Sequence, residues 1–399
     1  MECNAPFESR WCSASRARFK FDRWKNWCTV HGTPPLDNIE IIVSASEGKI
    51  YHSVIEKAPR TWYNVNATEH YLTTVKGGSF MGNHITKRLG LQVSDITRAK
   101  RQSGKLAYLL YLQGIDKNTE HMFVIADRVR SCSTYWSGFK CPQCGRLHGM
   151  ITYGCKHRLC PICATRKSRA TAAQAMQVIE ALQRQEKPGD WEYCLLTLTQ
   201  RNVSGENLSR EIDALLDAWS RLRYLRVIRS DLLGWARTVE ITAGANDTYH
   251  PHIHCILIIR RGSQLRLTSY WRRLWSKMMG LDYEPICDCR GITDAAAVFE
   301  VSKYVTKVGK LLSNPDLGQC YDDVRYIGDA ISGRRLRSYG GVWAKMRREM
   351  KMVDVESMDD GALDAAGALL DGHGQCECGS AVEAVCLMWS GMEYTEVSV

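Results

Sequence analysis

The stretch Tyr249–Ile259, YHPHIHCILII, decides how the rest of the chain is read. Its apolar run has the composition of a buried strand. Side chains alternate faces along a strand, so His252 and His254 project from the same side, one pleat apart. Two imidazoles at that spacing can hold one divalent metal ion. A His-x-His pair alone is weak grounds, because it also arises by chance in an ordinary core. Its weight comes from its company: LLTLTQRN (195–202) before it and FEVSKYVTK (299–307) after it.

Working outward, residues from Trp191 onward read as one mixed domain. Tyr193–Thr199 is a strand with Thr197 and Thr199 on one face. Leu208, Ile212, Leu215, Trp219, Leu222 and Leu225 recur at three and four residues, an amphipathic helix. Trp235–Thr242 is a second strand, and Gly244–Asp247 is the turn of a hairpin into the histidine strand. A further helix carries Leu267, Trp271, Leu274 and Met278 on its apolar stripe, with Arg266, Arg272, Arg273 and Lys277 off it. Residues 294–312 read as the next helix. There Glu300, Tyr304 and Lys307 share one face at i, i+4 and i+7, and Val301, Val305 and Val308 occupy a neighbouring face. This order predicts an α+β fold, an antiparallel sheet covered on one face by helices. The histidine and threonine strands would be central, with Tyr304 brought over the paired histidines. Such a site suits metal-assisted phosphoryl transfer: a cation polarises the phosphate while a phenolic oxygen attacks in line.

Upstream, Cys141-Pro-Gln-Cys144 and Cys160-Pro-Ile-Cys163 are separated by fifteen residues. Paired Cys-x-x-Cys knuckles match tetrahedral Zn²⁺, and four thiolates leave no open position, so the role is structural. Cys155, His157 and His148 stand between the pairs as alternative ligands. Arg166, Lys167 and Arg169 then open a helix running to about Gln185, with Met176, Ile179 and Leu182 on one face. A knuckle leading into a basic helix suits nucleic-acid backbone, although a solvated helix face is the ordinary alternative. Gly333–Arg348, GRRLRSYGGVWAKMRR, is strongly basic with Tyr339 and Trp343 interleaved.

Charge supports a polyanion partner. Residues 351–399 hold ten acids against Lys351, a net −9, so residues 1–350 carry +19 of the chain's overall +10. The acidic segment is expected to be a mobile tail that could compete with DNA for the basic body. The N-terminus has no apolar leader, and no run of about 18 apolar residues can span a membrane. With 17 cysteines in Cys-x-x-Cys spacings, this suggests a reducing cytoplasm. Residues 1–130 say least. Arg16–Lys25 mixes bases with aromatics, and Ile39–Ser44, Ala107–Gln113 and Met122–Ala126 read as short strands. Four regions follow: 1–130 of unassigned fold, 131–190 with the knuckles and basic helix, 191–350 with the histidine strand and the basic stretch, and 351–399.

LLTLTQRNV (195–203), HPHIHCIL (250–257) and FEVSKYVTK (299–307) resemble, in type, order and spacing, the three motifs of the His-hydrophobe-His (HUH) endonucleases. The similarity is greatest to the single-tyrosine initiators of rolling-circle plasmid replication. GRRLRSYGGVW resembles a downstream element of that family, and the resemblance covers roughly 141–345. It implies an HUH endonuclease domain preceded by a four-cysteine zinc module. It implies Mg²⁺ or Mn²⁺ on His252 and His254, with Glu240 at a position that can add an oxygen ligand and His250 in support. Tyr304 would nick one strand at the plasmid's double-strand origin, met as single-stranded or cruciform DNA, leaving a 5′-phosphotyrosine and a priming 3′-OH. Glu300 would activate water at termination. Lys303 and Lys307 would steady the phosphate, and Arg334, Arg335 and Arg337 would contact DNA. A host helicase and polymerase are the implied partners. The rival readings are a relaxase or transposase of the same superfamily, and a noncatalytic zinc-dependent DNA-binding regulator.

Overall fold

A computed structural model of the chain describes residues 91–185, 190–244, 247–292, 298, 302, 308–371 and 376–397. Arg16–Lys25 and Ile39–Ser44 lie outside the described residues. The elements below belong to one of two compact units; its described residues lie between 91 and 388 and between 394 and 397.

The second half of this unit is a six-stranded antiparallel sheet built on the hairpin the sequence predicts. Strand β4 (Trp191–Thr199), the short β5 (Val203–Ser204), β6 (Leu232–Ala243), β7 (Thr248–Arg260), β8 (Cys287–Gly291) and β9 (Arg337–Gly340) run in the order β8-β4-β7-β6-β9, and β5 pairs with β7 off this path. The histidine strand β7 therefore lies between β4 and β6. Its central place explains its sequence: every residue from Pro251 to Ile259 is buried, which requires side chains that fit a covered surface on both faces.

The sheet is covered on both faces, not on one as the element order suggested. Ile256 and Ile258, on the same face as His252 and His254, pack with Leu195 and Ala236. Over them lie Val178, Ile179 and Leu182 of α3 (Pro161–Gln185) and Trp343 and Met346 of α9 (Gly341–Glu349). On the opposite face Trp235 meets Trp219 of α4 (Gly205–Leu222) edge-on, with ring centroids 5.5 Å apart. On that face too, the Tyr249 hydroxyl donates to Asp323 of α8 (Leu317–Ile331) at 2.8 Å. Helix α4 buries the predicted stripe, Leu208 to Leu222. Helix α6 (Thr268–Met279) instead buries Trp271 and Trp275, one turn apart, and leaves Leu267 exposed. The two indoles win because each has a carbonyl for its N–H: Trp271 donates to Leu265 and Trp275 to Thr199 at 2.9 Å.

Before this sheet, α1 (Val93–Asp116) and α2 (Glu120–Arg130) form a helical pair. Ala107–Gln113 and Met122–Ala126 thus lie in helices, correcting the short strands expected there. Those runs are too short to reveal period, and burial of Leu106, Leu109 and Leu110 is helical spacing. A smaller antiparallel sheet follows. Strands β1 (Leu91–Gln92), β2 (Tyr135–Lys140), β3 (Arg146–Thr152), β10 (Glu383–Trp389) and β11 (Tyr394–Val397) run in the order β1-β3-β2-β10-β11.

That sheet corrects the expectation of a mobile acidic tail. β10 pairs with β2 from Glu383↔Lys140 to Met388↔Tyr135, and α10 (Asp360–Ala368) lies on α3 and β3. The basic opening of α3 is what the acids serve. Arg166 bonds both carboxylate oxygens of Asp364, at 2.6 and 2.8 Å, and reaches Asp360 at 2.8 Å. Lys167 pairs with Glu356 at 2.6 Å, and Arg169 with Asp371. These bases are buried, and so cannot meet nucleic-acid backbone as the sequence suggested. A buried guanidinium requires a matched carboxylate, so these acids fold against the body.

Candidate metal centre and cysteine clusters

Register alone assembles the candidate centre. On β7, His252 is paired with Thr199 of β4 and Glu240 of β6, and His254 with Thr197 and Thr238. Directly paired residues share a face, so Glu240, His252 and His254 converge. Glu240 Oε2 lies 3.3 Å from His254 Nε2 and 3.7 Å from His252 Nε2, and all three residues are buried. The two imidazole rings stand edge to face with centroids 4.8 Å apart.

The outer ring nitrogens are already committed. His252 Nδ1–H donates to the His250 carbonyl at 3.0 Å, which leaves Nε2 turned toward Glu240. Thr197 Oγ1 lies 3.1 Å from His254 Nδ1, and His250 Nδ1–H donates to Asn202 Oδ1 at 3.0 Å. Burial pushes the Glu240 carboxyl up, but hydrogen bonds and charge from His252 and His254 outweigh it and hold the group well below the usual carboxylate range. Burial and the neighbouring His252 push the His250 imidazole down.

The Glu240 carboxylate oxygen lies within 3.7 Å of both Nε2 atoms, so the three groups converge on one point where a positive charge is favoured. The donor set, two imidazole nitrogens and one carboxylate oxygen, fits a divalent cation. Neighbouring ligands of an octahedral Mg²⁺ lie about 3 Å apart, close to the 3.3 Å seen here. Three ligands would leave positions open for water or phosphate oxygen.

The basic residues sort differently from expectation. Arg335 is exposed, its side chain at 73%. Arg337 is buried, donating to Thr171 Oγ1 at 2.9 Å and to the Ser302 carbonyl at 3.1 Å, so it is a structural residue and not a DNA contact. Arg334 forms a two-pronged pair with Asp213, both contacts at 2.6 Å. Arg334 and Arg335 thus both face a carboxylate, Arg334 closely and the exposed Arg335 at 3.6 Å from Asp354. Glu300, Lys303, Tyr304 and Lys307 lie outside the described residues. Beside them, Val298 and Ser302 are buried, and the Ser302 hydroxyl donates to the Val298 carbonyl at 2.6 Å.

The two Cys-x-x-Cys pairs do not share one ion. Cys160 and Cys163 gather with Cys132 and Cys155, while Cys141 and Cys144 gather with Cys376 and Cys378. Cys155 thus enters the first set, whereas His148 Nδ1 faces the Asp371 carbonyl and takes no place in either. Each Cys-x-x-Cys pair finds its partners elsewhere in the chain. Cys132 lies just beyond α2, and Cys376-x-Cys378 just before β10. The sequence signal available was the repeated Cys-Gly ending, Cys144-Gly145 and Cys378-Gly379.

A histidine-rich central strand with a carboxylate beside it, in an α+β frame carrying thiolate clusters, defines a protein built around metal-ligand groups. A family profile described as "Replication protein" matches residues 146–392. The chain is 33% identical over 262 residues to "Protein rep" of Bacillus amyloliquefaciens, covering 59% of this chain and 75% of that one. It is 32% identical over 291 residues to "Protein rep" of Lentilactobacillus hilgardii, covering 69% and 90%. A further "Protein rep", from Streptococcus pneumoniae, is 28% identical over 271 residues, covering 64% and 81%. The chain belongs to the replication protein family, the plasmid rolling-circle initiators that its motifs resemble. No solved structure matches it. Among the described residues no helix is long and apolar enough to cross a membrane.

Proposed function

We propose that this replication protein is an HUH-type, strand-specific DNA nickase and strand transferase that opens rolling-circle replication at a plasmid origin. The observation that carries this reading is the convergence of His252, His254 and Glu240 on the central strand of an antiparallel sheet. These three residues would hold Mg²⁺ or Mn²⁺, which would supply Lewis-acid polarisation of the scissile phosphate. Thr197 and the His250 carbonyl fix the two imidazoles so that both Nε2 atoms face the same point.

The Tyr304 phenol oxygen attacks the phosphorus and surrenders its proton. The bond from phosphorus to the 3′ oxygen breaks, and that oxygen takes up a proton as the free 3′-OH that primes synthesis. The 5′-phosphate stays on Tyr304, and reversal of the same step rejoins strands. At termination Glu300 takes a proton from water, or from an incoming hydroxyl, for the second cleavage. Lys303 and Lys307 steady the phosphate and the phenolate by charge, and Arg335 meets the DNA backbone. The buried cluster Cys132, Cys155, Cys160 and Cys163 takes a structural Zn²⁺. The polar products of nicking are those a host helicase and polymerase use. The reading is tested with the Glu300→Ala protein on a supercoiled origin plasmid. Nicking should persist while the covalent adduct accumulates; adduct release at the wild-type rate would remove Glu300 from its role.

A further inference from the structure

We infer that Cys141, Cys144, Cys376 and Cys378 form a second, independent zinc site, a clasp that ties the C-terminal segment to the first knuckle across more than 230 residues of chain. All four are free thiols. Cys141 Sγ lies 3.4 Å from Cys378 Sγ, and Cys144 Sγ lies 3.4 Å from Cys376 Sγ. A disulfide needs sulfurs about 2.05 Å apart. Four sulfurs about 2.3 Å from one zinc ion form a tetrahedron with edges of about 3.8 Å. The observed spacing is far from the first and near the second. The separately gathered Cys132, Cys155, Cys160 and Cys163 show the same signature, with sulfur separations of 3.6 and 3.7 Å.

The backbone on both sides of the clasp is shaped as a knuckle. In the first turn Cys141 N–H donates to the Arg146 carbonyl at 2.8 Å, Gly145 N–H to the Cys141 carbonyl at 2.9 Å, and Cys144 N–H points at Cys141 Sγ at 3.5 Å. In the second turn Cys376 N–H donates to the Ser380 carbonyl at 3.0 Å and Gly379 N–H to the Cys376 carbonyl at 2.9 Å. Each turn ends on a glycine in left-handed backbone, Gly145 at φ 70° and Gly379 at φ 86°, which lets the chain reverse after the second thiol. Two further contacts bring the turns together: Arg146 pairs with Glu377 at 2.6 Å, and Ser380 Oγ donates to Gln143 Oε1 at 2.6 Å.

The two sites differ in access. Cys132, Cys155, Cys160 and Cys163 are all buried, whereas Cys144 and Cys378 are exposed. A chelator can therefore reach the clasp while the first cluster opens only with the surrounding fold. Because the clasp precedes β10, which pairs with β2, its metal holds one strand of the smaller sheet in register with its neighbour.

Zinc content of the purified full chain, after subtracting any zinc that a His252→Ala/His254→Ala control shows to sit at the histidine centre, tests the clasp. Native mass spectrometry should find two zinc ions per wild-type chain and one in the Cys376→Ser/Cys378→Ser double variant. One zinc in the wild type, or two in the double variant, overturns the inference. Differential alkylation of the wild type decides even if the variant does not fold. After mild chelation Cys141, Cys144, Cys376 and Cys378 should label together while Cys132, Cys155, Cys160 and Cys163 stay protected. Full labelling of Cys376 and Cys378 without chelator contradicts the clasp.

Discussion

At the level of single residues, the histidine centre depends on groups that never touch a metal. Thr197 sits 3.1 Å from His254 Nδ1 and fixes which nitrogen faces Glu240. Thr197→Val keeps the side chain's shape and removes that partner. Loss of such an orienting contact costs about 10- to 100-fold in metal affinity. A Mn²⁺ titration of the protein should therefore shift by that factor with unfolding stability little changed; an unshifted titration removes Thr197 from the role. The arginines make a second contrast. Arg335 is exposed and Arg337 is buried against Thr171 and Ser302. Arg335→Ala should weaken DNA binding and lower the slope of log affinity against log salt by about one. Arg337→Ala should instead lower the midpoint of urea unfolding. Equal salt slopes for the wild type and Arg335→Ala would remove Arg335 from the DNA contact.

At the level of elements, the acidic helix α10 is held on α3 by the pair of Arg166 with Asp364, whose side chains are 3% and 4% exposed. Removing Asp364 leaves the buried Arg166 with Asp360 as its remaining carboxylate and its Nε donor unmatched, and Asp364→Ala should cost about 1–3 kcal/mol. Urea denaturation measures this, and a loss below about 1 kcal/mol would show that the pair is solvated. This element also marks where sequence reading stops. Strands β4, β6 and β7 and the hairpin were legible because their apolar, β-branched runs and turn residues are local. The alignment of Glu240 with His252 follows once those strands pair. Helices α1 and α2 were not legible, since AYLLYLQ and MFVIA suit either a strand or a buried helix turn. The cysteine pairing was not legible either. Spacing shows which thiols lie in one knuckle, but Cys376 and Cys378 reach Cys141 and Cys144 only through the order of strands in a sheet.

At the level of the molecule, the split between a basic body and an acidic C-terminal segment invites an electrostatic reading that the packing overrules. Glu356, Asp360, Asp364 and Asp371 neutralise bases of α3 inside the fold, so the acids are internal counterions. Ending the chain at residue 350 should therefore yield an unstable protein that is lost from the soluble fraction. A well-folded truncate with tighter DNA binding would instead restore the picture of a detachable competitor.

One covalent bond, between Tyr304 and the 5′-phosphate, is central to the proposed chemistry. The wild-type protein is incubated with supercoiled origin plasmid and Mn²⁺, and the DNA-linked peptide is identified by mass spectrometry. The expected result is nicked plasmid carrying a 5′-phosphotyrosine on Tyr304, with no adduct from Tyr304→Phe and none from His252→Ala/His254→Ala. An adduct formed by Tyr304→Phe, or nicked plasmid from the histidine double variant at the wild-type rate, would contradict it.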